Sequence, residues 1–130
     1  MLVARTVAEF RAARRQAAPP VGLFPTMGYL HEGHLSLGEV ARRECGTVAA
    51  SVFVNPTQFG PHEDFDTYPR DEARDLELLE QAGVDLVLLP PVADIYPPGE
   101  TTRVSVSGIS DVLEGARRPG HFDGVTTMVS

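Results

Sequence analysis

The chain has 130 residues, 42% of them hydrophobic and 22% charged. This balance excludes a disordered tail or a fibrous repeat and suits one domain that buries about two thirds of its unfolded surface. The formal net charge is -7, so no general attraction draws the chain to a nucleic-acid backbone or an anionic membrane, and neither is expected as a partner. All 11 basic residues are arginine; phosphate contacts must therefore come from arginine, imidazole, hydroxyl or backbone N–H groups.

Cys45 is the single cysteine, which excludes an internal disulfide and suits a reducing compartment. The start of the chain has no basic region followed by a long apolar stretch, and no segment approaches the ~18 apolar residues of a membrane span. A cytoplasmic protein is expected.

Thr6 and Glu9 form a capping-box pattern, and Val7, Phe10, Ala13 and Ala17 recur on one helical face until Pro19 and Pro20; a helix is predicted over 7–18. The apolar run 21–24 predicts a strand, and residues 26–33, with two glycines and no sustained period, predict a special loop after it. From His34 the pattern Leu37, Val40, Ala41, Glu44 reads as a second helix, closed by Gly46 after Arg42 and Arg43. The β-branched, nearly all-apolar run 48–54 has the character of a strand covered on both faces. A third helix is predicted from Pro69 or Asp71 to Gly83, with Ala73, Leu76, Leu79 and Ala82 inward, followed by a strand over 86–89. Alternating strands and helices with connections of this length imply right-handed crossovers in an open α/β sheet, whose strand order the sequence does not reveal. Beyond it come a turn or short helix at 92–95, a small strand at 102–106, a helical turn at 109–113 and a helix beginning at Phe122. The last residues carry no stop signal, from which a truncated chain is expected. Residues 60–85 hold nine acids against Arg70 and Arg74, read as a solvated face.

Three clusters carry the polar chemistry. The first is Pro25, Thr26, Met27, Gly28, Tyr29, Leu30, His31, Glu32, Gly33 and His34, between a predicted strand and a predicted helix. In an open α/β sheet the ligand crevice lies beyond the carboxyl ends of the strands, beside the free N–H groups of the next helix. His31 and His34, three residues apart, are expected to face one bound group and to donate to phosphate oxygens, with Gly33 leaving room for a base or ribose. The pair offers only two metal ligands, and neither the Gly-x-Gly-x-x-Gly nor the P-loop pattern is present. The second cluster follows the central strand: Phe53, Asn55 and Gln58 bring an aromatic ring and two amides to the sheet's carboxyl end, which suits a small polar acid, although Asn-Pro is also an ordinary turn starter. The third holds Arg117, Arg118 and His121 in a Gly/Pro loop before the last helix, either an anion site or a structural helix entry.

Here the sequence closely resembles the N-terminal part of the pantothenate synthetase (pantoate–beta-alanine ligase) family. The resemblance rests on the His-x-Gly-His signature at 31–34 with Pro-Thr-Met-Gly before it, the Phe53 to Phe59 run, Tyr68-Pro69-Arg70, Ile95-Tyr96-Pro97, and Leu113-Glu114-Gly115 with Arg118 to Phe122. It implies a Rossmann-like, three-layer α/β/α fold of the nucleotidyltransferase type. The implied reaction is ATP-dependent condensation of pantoate with beta-alanine through a pantoyl adenylate, giving pantothenate, AMP and pyrophosphate, with Mg2+ accompanying ATP. Carried over, residues 25–34 would line the ATP site with His34 and His31 catalytic. Gln58 would hold pantoate with Met27 and Phe53, supported by Asn55, Tyr68, Arg118, His121 and Val125. Family members are about twice as long and usually homodimeric; the resemblance makes residues 1–130 an ATP- and pantoate-binding domain without the C-terminal lid, and predicts little turnover from this piece alone. Two other readings stay open, a nucleotide-binding or structural fragment without turnover and a nucleotidyltransferase acting on another small acceptor.

Overall fold

A computed structural model describes residues 1–130. The chain forms two compact units, one of residues 1–53 and 69–95, the other of residues 54–68 and 96–130. No helix is long and apolar enough to cross a membrane.

The first unit is built on four parallel strands, β1 (Leu2–Ala4), β2 (Val21–Thr26), β3 (Thr47–Val52) and β4 (Leu86–Leu88), in the order β1-β4-β3-β2. Helix α1 (Val7–Gln16) joins β1 to β2, α2 (Glu32–Glu44) joins β2 to β3, and α3 (Glu72–Gln81) lies between β3 and β4. The β1 to β2 crossover runs across the sheet in one direction and the next two run back. Right-handed connections therefore put α1 on one face and α2 with α3 on the other, the three-layer arrangement expected. Strand β3 is buried at five successive positions, Thr47 to Ser51, as its nearly all-apolar run predicts. The core between the sheet and α2 and α3 is Phe24, Leu30, Val48, Ala50, Leu79, Val84 and Val87.

Local signals explain most element ends. Thr6 caps α1, its hydroxyl accepting from the Glu9 N–H at 3.1 Å, and Ala17 closes it just before the two prolines. Helix α2 begins at Glu32, two residues before the predicted start, because His31 serves as its cap. Its inward side also differs: Leu37 and Val40 are exposed, while Gly38 is buried against the Phe24 ring. Strand β1 has no counterpart in the sequence reading; three residues suffice because β4 supplies a complete partner. Cys45 is half-buried at the end of α2, where its sulfur packs over Gly22.

The second unit contains a 3-10 turn (Pro56–Gln58) and the helices α5 (Glu114–Arg117) and α6 (His121–Val129); α4 (Val92–Ile95) belongs to the first. The strand expected at 102–106 is absent. Its backbone is satisfied by side chains of α6 and a nearby serine instead: Val104 N donates to Thr127 Oγ1 at 2.9 Å, Val104 O accepts from the Thr126 hydroxyl, and Val106 N donates to Ser110 Oγ at 3.2 Å. Alternation without a neighbouring strand leaves no ladder to form. The helical turn expected at 109–113 is likewise a series of turns, with the helix starting one residue later, at Glu114.

Leu79 is fully buried in this core. Leu79→Ala is expected to lower stability by about 2–5 kcal/mol, measured by urea unfolding.

Candidate functional site

In the first unit, the loop from β2 to α2 is held from three directions. Thr26 Oγ1 donates to Ser51 O at 2.9 Å and accepts from Gly28 N at 3.2 Å, fixing the exit from the strand. Gly28 (φ 80°) and Tyr29 (φ 51°) then turn through the left-handed region. A side chain at Gly28 would also meet the Asp75 carboxylate at 2.9 Å and Val52 at 3.0 Å, so position 28 is closed to other residues on two grounds. Leu30 is 1% exposed and pins the loop to the core. From α3, Asp75 accepts the Tyr29 and Leu30 N–H groups, one on each oxygen, both at 2.8 Å.

Sequence reasoning missed Asp75, which sits in the acidic stretch read as solvated yet is 2% exposed. The clue was its place at i−4 from Leu79 on the inward face of α3. Its neighbour Arg74 donates to Leu30 O at 3.0 Å and lies over the Tyr29 ring at 5.8 Å.

His31 and His34 do come together. Their ring centroids are 4.1 Å apart with planes tilted by 42°. His31 caps α2, its Nδ1 accepting from Gly33 N at 3.0 Å, and His34 Nδ1 accepts from His31 N at 3.3 Å. Each bond uses the Nδ1 lone pair, so each neutral ring carries its proton on Nε2. The pair thus combines a reciprocal capping box with two Nε2–H donors. The space over Gly33 that was expected to admit a base or ribose is taken by the His31 ring, 2.8 Å from where a side chain would begin. Of the remaining loop residues, Thr26 is buried, Met27 is half-buried, and Pro25, Tyr29 and Glu32 are exposed. Phe53, after β3, is buried.

In the second unit, Asn55 is 1% exposed. Its Oδ1 accepts from Thr57 N, Thr57 Oγ1 and Tyr96 OH, and its Nδ2 donates to Gly124 O at 2.9 Å and to Gln58 Oε1 at 3.1 Å. The backbone partners fix which end of the Asn55 amide is which, and this in turn fixes Gln58, whose NH2 group is left as the donor. Asn55 has no capacity left for a ligand; it organises the turn. Gly124 permits this closeness, since a side chain there would overlap the Thr57 carbonyl.

Arg118, expected in an anion site, makes a two-pronged pair with Glu63, Nε to Oε1 at 2.9 Å and Nη2 to Oε2 at 2.6 Å. This pairing holds the Glu63 carboxyl below the usual carboxylate range and raises the Arg118 guanidinium. His121 Nδ1 donates to Gln58 O at 2.8 Å, leaving Nε2 as an acceptor 3.4 Å from Arg118 Nη1. The loop is therefore internally neutralised around Gln58. Tyr68 is half-buried with its ring edge-on to Phe59, Val125 is half-buried in α6, and Arg117 is exposed.

Burial holds the His34 imidazole below its ordinary pKa of 6.5; His31 adds to the shift, and the Asp75 carboxylate opposes it. In an NMR titration His34 is expected to protonate below that value. The unfolded chain takes up the proton first, so this contribution to stability is full above the ordinary value and is lost as pH falls through the folded-state value. Urea unfolding of the unmodified chain and of His34→Gln at both pH limits checks the sign, since the variant lacks this component.

Comparison with known proteins agrees with this architecture. The profile of the family described as Pantoate-beta-alanine ligase matches residues 2–130. A pantothenate synthetase of Chloroflexus aurantiacus is 63% identical over 129 residues, which are 99% of this chain and 46% of the relative. The crystal structure of the pantothenate synthetase from Thermus thermophilus superposes with a TM-score of 0.93 at 58% identity, covering 99% of this chain and 46% of that one. A Francisella tularensis pantoate-beta-alanine ligase, described as complexed with beta-gamma ATP and beta-alanine, gives 0.90 at 40% identity, covering 99% and 51%. The chain spans about half the length of these relatives. With its parallel sheet and His-x-Gly-His loop, the chain belongs to the pantoate–beta-alanine ligase family.

Proposed function

We propose that residues 1–130 supply the ATP- and pantoate-binding part of a ligase that condenses pantoate with beta-alanine. The observation that carries this reading is the histidine pair whose Nδ1 atoms are both engaged by backbone N–H groups, leaving two Nε2–H donors at the start of α2. Family membership and the Francisella relative, described with an ATP compound and beta-alanine, support the choice of substrates.

In the first step a pantoate carboxylate oxygen attacks the α-phosphorus of ATP, and the bond to the departing pyrophosphate breaks. A carboxylic acid of pKa ~4 is already ionised near neutrality, so this step needs no general base. Negative charge grows on the non-bridging oxygens, and the Nε2–H groups of His31 and His34 donate there. Keeping His34 neutral retains its place in the capping box, because a proton on Nδ1 would displace the His31 N–H. In the second step the beta-alanine amine attacks the acyl carbon, AMP leaves, and the amine proton passes to solvent. Magnesium enters with ATP, as part of the substrate.

Pro25 to His34 are assigned to ATP. Gln58, with its NH2 group directed by Asn55, is assigned to the pantoate carboxylate or hydroxyl together with Met27 and Phe53. Asn55, Tyr68, Arg118, His121 and Val125 are assigned to the support of pantoate binding, Asn55 and His121 through their hydrogen bonds to Gln58. A second half of the length seen in the relatives is assigned the role of closing over ATP, where water exclusion and alignment both raise the rate. Homodimeric assembly and a cytoplasmic location belong to the same reading.

Pyrophosphate release with pantoate and Mg-ATP tests it. A chain extended to the length of the relatives is expected to turn over, and His34→Ala in it to lose about 10²–10³-fold. The 130-residue chain is expected to show little turnover; a rate matching the extended chain would remove the need for the second half. An unchanged rate in His34→Ala would remove the histidine from the chemistry.

A further inference from the structure

We propose that Arg74 and Asp75, consecutive residues of α3, are positioning residues for His34, acting through the two peptide groups that flank Leu30. The inference rests on the assignment of His34 to the nucleotide site.

Asp75 accepts the N–H of the first of these peptide groups, with Leu30 N 2.8 Å from Oδ1, and its other oxygen takes the Tyr29 N–H. The second peptide group, between Leu30 and His31, is held at both ends. Arg74 Nη1 donates to its carbonyl at 3.0 Å, and its N–H donates to His34 Nδ1 at 3.3 Å. A peptide is planar, so turning the carbonyl turns the N–H on the opposite edge with it. Arg74 thereby sets the direction of the one hydrogen bond that engages His34 Nδ1. That bond lies at the long end of the range, where a small rotation of the plane breaks it. A charged donor on the carbonyl also polarises the peptide and strengthens the N–H as a donor.

The two side chains differ in what else they do. Asp75 is a buried carboxylate whose charge is balanced by these N–H groups, with Arg74 Nη1 3.9 Å away. Removing it would loosen the loop as a whole. The Arg74 side chain is 49% exposed and packs along the Tyr29 ring, so its removal should leave the fold intact. Leu30 still anchors the loop in that variant. Any change at His34 then reports the peptide link and not general unfolding.

The experiment uses the 130-residue chain labelled with 15N. In the unmodified protein the His34 ring is expected to give the signals of a single Nε2–H form with a hydrogen-bonded Nδ1. Arg74→Met, which keeps the apolar stem, is expected to move the Nδ1 signal toward that of a free ring exchanging between forms, with the urea midpoint unchanged. Arg74→Lys should recover part of the shift. Asp75→Asn should do the same to the ring and also lose the protection of the Tyr29 and Leu30 amides. Mg-ATP affinity should fall about three- to tenfold in Arg74→Met. Ring signals in Arg74→Met identical to those of the unmodified chain would overturn the proposal. If the unmodified chain fails to bind Mg-ATP, the nucleotide assignment falls, while the ring signals, which need no ligand, still decide the link.

Discussion

A loop that leaves a parallel strand and turns at once into a helix has backbone N–H groups that neither element satisfies, and burying Leu30 takes part of this loop away from water. The carboxylate of Asp75 resolves the conflict by accepting two of those groups from a helix some 45 residues further along the chain. Gly28 is a glycine, Leu30 can enter the core, and His31 can begin α2, because that carboxylate occupies the inside of the turn. An unpaired buried N–H costs about 1–3 kcal/mol, so the loop depends on α3 being docked. The geometry of the histidines is in this sense tertiary, although the signature that reveals them is contiguous.

Much of the frame was legible in the residues. The nearly all-apolar run of β3, the two prolines after α1 and the Thr6 half of the capping box each act through local physics, and each corresponds to what formed; the Glu9 carboxylate takes the Arg5 N–H instead of the Thr6 N–H. The loop at 26–33 stood out for the same reason, since two glycines and no period leave neither helix nor strand. Other features were hidden because they depend on partners far along the chain. Strand β1 is too short to show a period and exists through β4. The alternation at 102–106 looked like a strand, but side chains of α6 took up the Val104 backbone. Asp75 and Glu63 sat among acids that are mostly solvated, and nothing in their neighbours in sequence distinguishes a buried carboxylate or an arginine-paired one.

The site residues divide along the same line. His31 and His34 were found from spacing, and the structure adds the tautomer, which spacing cannot give. Asn55 was read as either a turn starter or a ligand group. It is the former, with every donor and acceptor occupied, and through Gln58 it also sets the direction of an amide that remains available. Arg118 was singled out for its charge, whereas its charge is already matched by Glu63. Residues chosen for chemical type thus separate into those that present a free atom and those that hold another residue still.

The reciprocal cap on α2 has a further consequence. Two histidines one helical turn apart would ordinarily invite chelation by zinc or nickel. Here both inner nitrogens are spent on the backbone and both outer ones bear hydrogen, so the pair presents no lone pair to an electrophilic cation unless the helix start is dismantled. Chelation would forfeit both capping bonds, which makes the pair a weaker chelator than two free imidazoles at the same spacing.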